Sequence, residues 1–157
     1  MAARLRAKSQ IAARAWQLLF DFFVATRAER DRTLESRKLT ANDSRALMSL
    51  DIDPGKTMGT LAGEWRCDAS NATWIVDRLE KLGYARRRPS LTDRRAKLVV
   101  LTQKGARAKF EILEEFHTPP AAFLALERDD LVAIADILEK LRRPATTPAK
   151  RKRSQRA

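Results

Sequence analysis

Apolar residues recur at three- and four-residue steps along most of this chain, the spacing of helices that bury one face. Ile11, Ala15, Leu18, Leu19, Phe22 and Phe23 repeat this way, with Phe20 widening the face, and predict a first helix from about Lys8 to Leu34. Thr40 with Asp43 has the form of a capping box. It predicts a second helix with Leu47, Met48 and Leu50 inside, ended by Asp53-Pro54-Gly55. A short third helix is predicted from about Thr57 to Trp65, with Met58, Leu61 and Ala62 facing inward. In the fourth, capped by Asp68 or Ser70, Ala72, Ile75, Val76, Leu79 and Leu82 form one stripe. Ser70, Asn71, Trp74, Asp77 and Arg78 take the opposite face, and Gly83 suits a left-handed cap.

After Gly83 the helical period stops. Arg86 to Arg88 and Lys97 to Leu101 have strand character, joined by a loop that carries Asp93-Arg94-Arg95. Thr102 then caps a fifth helix with Phe110, Leu113 and Phe116, which Pro119-Pro120 must break or kink. A last helix from about Glu127 to Arg142 repeats Leu131, Ile134, Ile137, Leu138 and Leu141. Two helices joined by a short turn and followed by a cationic hairpin outline a winged helix-turn-helix. The predicted fold class is mainly α with a small β-hairpin wing (α+β), flanked by N- and C-terminal dimerisation helices. Four regions follow: an N-terminal helix (1–39), the winged helix-turn-helix (40–101), C-terminal dimerisation helices (102–143) and a disordered basic tail (144–157).

Charge adds a partner to this outline. The 157 residues carry a net +12, and such a field attracts polyanions. Five basic residues and no acid lie in 144–157, while Arg86 to Lys97 sets six basic residues against Asp93 alone. Double-stranded DNA is the expected partner. A membrane is not expected, because the longest apolar stretch, Ala15 to Ala25, is cut by Gln17 and Asp21 and is too short to span one. The single cysteine, Cys67, allows no internal disulfide and fits a reducing cytoplasm. No phosphate-binding glycine loop, nucleophilic triad or metal spacing is present, so neither an enzyme nor a cofactor is expected.

The segments LTANDSRALMSL, GTLAGEWRCDASNATWIVDRLEKLGYARRR and DRRAKLVVLTQKG, in that order, resemble the MarR family of winged-helix transcription regulators. The resemblance covers roughly residues 10 to 142. It implies an obligate homodimer with interleaved terminal helices, a pseudo-palindromic operator, repression of nearby genes and often a small organic ligand that releases DNA. The family's wing Asp and Arg correspond to Asp93 and Arg95, with Asp93 orienting arginines rather than touching DNA.

Ser70, Asn71, Thr73 and Trp74 sit on the first turns of the fourth helix, where side chains meet base edges and phosphates. Trp74 either packs on a thymine methyl or sugar, or folds back under Arg78 or the wing without touching DNA. Arg78 is read as a phosphate or intramolecular ligand. Arg86 and Arg88 share one strand face, suited to phosphates, and Arg87 takes the other. Arg94 and Arg95 at the wing tip suit a narrow minor groove. Trp16, Phe20, Phe23 and Phe116 are a candidate ligand pocket, though aromatic residues at helical spacing also make plain core. Cys67 reads as a small hydrophobe and His117 as a helix-end histidine rather than a metal ligand. Two other readings compete with a specific regulator. One is a nucleoid-type architectural protein driven by charge, and the other is a protein-interaction module with vestigial DNA binding.

Overall fold

The stripe on the fourth predicted helix is the surface around which the core is assembled. The computed structural model describes residues 2–90 and 96–142. Its elements divide into two units, one running to Thr118 and one from Pro119 onward. The first holds α1 (Ala2–Ala25), α2 (Arg27–Glu35), α3 (Ala41–Ser49), β1 (Lys56–Thr57), α4 (Met58–Trp65), α5 (Ala69–Lys81), β2 (Ala85–Pro89), β3 (Lys97–Leu101) and α6 (Gln103–His117). The second holds α7 (Ala121–Leu124) and α8 (Arg128–Arg142). The division places α6 with the winged helix-turn-helix.

Ala72, Ile75, Val76 and Leu79 of α5 are buried with Leu47 and Leu50 of the α3 segment, Leu61 of α4, Val99 of β3 and Ile112 of α6. Each such Leu, Ile or Val contributes roughly 1.5–3 kcal/mol by leaving water. Trp65 joins this core, and its indole N–H donates to Ser49 Oγ at 2.8 Å, so the buried polar atom keeps a partner.

Helix ends follow local chemistry. Thr40 and Asp43 form the expected reciprocal capping box on α3. The N-cap of α5 is Asp68 rather than Ser70, its carboxylate accepting from Asn71 N at 2.7 Å. Gly83 follows α5 at φ +76°, with Tyr84 N donating to Leu79 O and Gly83 N to Glu80 O, a Schellman stop. Thr102 caps α6 through Gly105 N. A Cβ on Gly105 would lie 1.9 Å from Tyr84 O, so only glycine lets α6 meet the turn before β2.

Three features differ from the sequence expectation. The predicted first helix is two, broken at Thr26, whose hydroxyl donates back to Phe22 O and Phe23 O while its backbone leaves helical geometry. Such back-bonding competes with the helical ladder, and the apolar repeat runs through it unmarked. The hairpin gains a third strand: β1 pairs antiparallel with β3, giving the order β1-β3-β2. Two residues are too short to show alternation, so β1 was invisible beforehand. Lastly, α7 is a single turn between Pro120 and Ala125 that carries no apolar period.

Candidate nucleic-acid interface

The exposed face of α5 is built on the Asp68 cap. Asp68 also accepts from Ser70 Oγ at 2.6 Å. The Ser70 hydroxyl first, then the Asn71 amide, hold its carboxyl below the usual aspartate value. Ser70 therefore has its proton committed and offers lone pairs outward, and Thr73 likewise donates to Ala69 O at 2.8 Å. Both hydroxyls suit a base-edge amino donor better than a phosphate, which only accepts. Asn71 is exposed, and its carboxamide makes no hydrogen bond among the described residues. A free carboxamide in this position can pair bidentately with an adenine edge.

Trp74 lies in the middle of this face, and the Arg78 guanidinium stands 5.2 Å from its ring centroid. The Arg78 side chain reaches across to α3. Its Nε and Nη2 bond the buried Asp43 carboxylate, and Nη2 also reaches Lys38 O. Arg78 is thus an intramolecular ligand here, as one of its two sequence readings had it.

The three arginines of β2 divide as the strand period requires. Arg87 turns to α5 and pairs with Asp77 and Glu80. Arg88, on the opposite face, pairs with Asp53. Arg86 shares that face and is exposed, with no ion pair among the described residues. The sequence alone did not separate the arginines by their acidic partners, since Asp53 lies 35 residues away in sequence. Asp93, Arg94 and Arg95, read as the wing tip, and the basic tail from 144 lie outside the described residues.

Sequence reading also missed neighbours supplied by other elements. Asn42 and Arg45 of α3 line a small depression with Cys67 and Asn71. Arg45 donates to Trp65 O at 2.6 Å, which anchors it beside the start of α5. Arg66, in the turn between α4 and α5, is exposed in a left-handed conformation with φ +53°. Cys67 is half-buried and packs against the core, in keeping with a small hydrophobe.

The aromatic residues read as a pocket lie on α1 and α6. Trp16, Phe20 and Phe23 are exposed on α1, Arg30 covers the Phe23 ring at 4.0 Å, and Phe116 packs half-buried against the core. An open cavity of about 450 Å³ lies beside Phe110, Ile52, Leu101 and Lys109. His117 is the last residue of α6. Among the described residues, no cluster of His, Cys, Asp or Glu could hold a metal ion. No described helix is long and apolar enough to cross a membrane.

Residues 38–96 match the MarR family model. No curated protein matches the chain by sequence. Solved structures do. The YusO protein from Bacillus subtilis is 24% identical, with a TM-score of 0.72 over 87% of this chain and 98% of that one. The transcriptional regulator Tm0710 from Thermotoga maritima is 25% identical, with a TM-score of 0.66 over 80% and 89%. The S. aureus MepR-DNA complex is 17% identical, with a TM-score of 0.59 over 80% and 98%. The family match spans α3 to the wing, and the structural likeness extends the same fold over most of the chain. Over residues 38–96 the chain is thus similar to the MarR family, and over most of its length it shares the fold of solved structures that include a transcriptional regulator.

Proposed function

We propose that this chain is a cytoplasmic, sequence-specific DNA-binding repressor that acts as a homodimer on a pseudo-palindromic operator. The observation that carries the reading is the α5 face: Ser70, Asn71, Thr73 and Trp74 are exposed opposite a fully buried stripe, beside a basic strand. A helix of this form fits a major groove, where Asn71 meets an adenine edge and the hydroxyls accept from base amino groups. Arg86 supplies a phosphate contact, with Arg94 and Arg95 at the wing tip and Asp93 orienting them. MepR, of the same fold, is known in complex with DNA.

Dimerisation is supported by large apolar side chains left in water. On α1 they include Ile11, Trp16, Phe20 and Phe23, and on α8 Ile137, Leu138 and Leu141. Exposed apolar side chains clustered on a single helix face in this way mark an interface. A two-fold dimer would set its recognition helices one DNA turn (~10 bp) or a multiple of it apart. Release by a small organic ligand belongs to the same reading, with Trp16, Phe20, Phe23 and Phe116 supplying aromatic surface.

The test is selection from random duplexes at near-physiological salt, with the full-length chain and a 1–143 truncation. A pseudo-palindromic motif recovered by both forms is the expected result. No enriched motif, with binding lost on removing the tail, would overturn the proposal in favour of charge-driven, sequence-independent binding.

A further inference from the structure

We infer that Trp74 is a specificity-determining residue that reads the 5-methyl group of thymine in the major groove. The inference rests on the operator-binding reading above and deepens it. Three observations carry it.

The first is position. At the helical period, Trp74 lies within roughly 30° of the direction opposite the buried stripe of Ala72, Ile75, Val76 and Leu79. Ser70, one turn earlier, points the same way, and both are exposed. Any surface that receives the N-terminal half of α5 therefore meets the indole. Asp77 marks the limit of that approach. It is exposed on the same side, and a carboxylate there opposes deeper entry between phosphates even with Arg87 paired to it.

The second is chemistry. Trp74 is 54% exposed, and it is the large apolar side chain on an otherwise polar face. Major-groove base edges present hydrogen-bonding groups throughout, and the thymine methyl is their apolar feature. An indole on the groove-facing axis leaves its apolar area in contact either with that methyl or with sugars, and only the first distinguishes sequences.

The third is rigidity. The Arg78 guanidinium lies over the ring, 5.2 Å from its centroid, while it is tied to Asp43, which is fully buried and shared with the α3 capping box. The chain from the Thr40 cap through Asp43 and Arg78 to Trp74 holds the indole before DNA arrives. Little side-chain freedom is then lost on binding. Arg78 acts here as a positioning residue.

The experiment uses the duplex recovered in the selection above, with each thymine replaced in turn by deoxyuridine. This removes the methyl and leaves the pairing edge unchanged. Affinities are compared for the wild-type chain, Trp74→Ala and Asn71→Ala by fluorescence anisotropy. Trp74 is outside the core, so Trp74→Ala keeps the fold, checked by its thermal transition. We expect one thymine per half-site at which uridine weakens wild-type binding about fourfold, the value of one buried methyl. Asn71→Ala keeps that sensitivity and Trp74→Ala loses it. Sensitivity at no thymine, or equal sensitivity in Trp74→Ala, would overturn the inference while leaving the regulator standing. Failure to enrich any duplex would overturn the regulator reading and this inference with it.

Discussion

The Arg78 guanidinium meets the Asp43 carboxylate at 2.9 Å across α5 and α3, with the aspartate fully buried and the arginine side chain 35% exposed. Asp43 also accepts from Thr40 N and Thr40 Oγ1, both at 2.8 Å. One carboxylate therefore closes the α3 cap and fixes α5 to α3. Removing the arginine leaves a buried charge held by the cap alone. Arg78→Ala should cost about 2 kcal/mol, below the usual cost of breaking a buried pair because solvent reaches the guanidinium. Urea denaturation checks this, and Arg78→Lys should recover only part of the loss, since an ammonium lacks the planar fork.

Two glycines should respond in opposite directions. A Cβ on Gly105 would overlap backbone atoms of Tyr84. Gly105→Ala should therefore destabilise by roughly 1–3 kcal/mol or more, as overpacking does. Gly63, inside α4, has nothing within 4 Å of its would-be Cβ. Gly63→Ala should stabilise by roughly 0.5–1 kcal/mol through helix propensity. Thermal melts of both variants test the assignment together.

Acid should weaken the fold in a defined window. Hydrogen bonding to Arg37 holds the Glu115 carboxyl below the usual glutamate value, and the Ser70 hydroxyl does the same for Asp68. A carboxyl whose folded pKa is depressed contributes stability above its unfolded pKa, and that contribution disappears as pH falls through the folded value. Tm should be flat from neutral pH to about 5 and decline through and below about 4. Glu115→Gln should remove part of that acid sensitivity. The Glu115 carboxylate faces solvent beside its charged partner, so added salt should flatten its part of the profile.

Arg86 and Arg87 adjoin in sequence but should behave differently on DNA. Arg86 has no ion-pair partner among the described residues, and as a phosphate contact its loss should reduce the slope of log K against log salt by about 0.9. Arg87 is occupied by Asp77 and Glu80, so Arg87→Ala should lower the thermal transition and leave that slope nearly unchanged. Equal slope changes in the two variants would contradict this division of roles.

The apolar face of α1 gives a direct test of assembly. Light scattering should report a dimer for the wild-type chain. Phe20→Arg places a charge where an interface must be dry, and it should shift the population to monomer at micromolar concentration. An unchanged dimer would exclude Phe20 from the interface.

What the sequence determined by itself is what local chemistry decides. Thr40 with Asp43, the Asp68/Ser70 pair, Gly83 and Thr102 mark helix ends because each cap is made within a few residues of the helix it closes. The α5 stripe and the division of β2 arginines between two faces are legible because helix and strand have fixed periods. Those signals carried the winged helix-turn-helix and put Ser70, Asn71, Thr73 and Trp74 on one exposed surface. Tertiary structure decided which polar groups are already engaged. Arg78 finds Asp43 at a separation of 35 residues, and Arg88 finds Asp53 at the same separation. The strand β1 exists only because β3 is there to pair with it, and Asn42 and Arg45 reach the start of α5 only once α3 packs beside it. Periodicity describes which way a side chain faces. Whether its charge is spent or still available depends on groups that distant segments bring within hydrogen-bonding reach, and no local pattern encodes that distance.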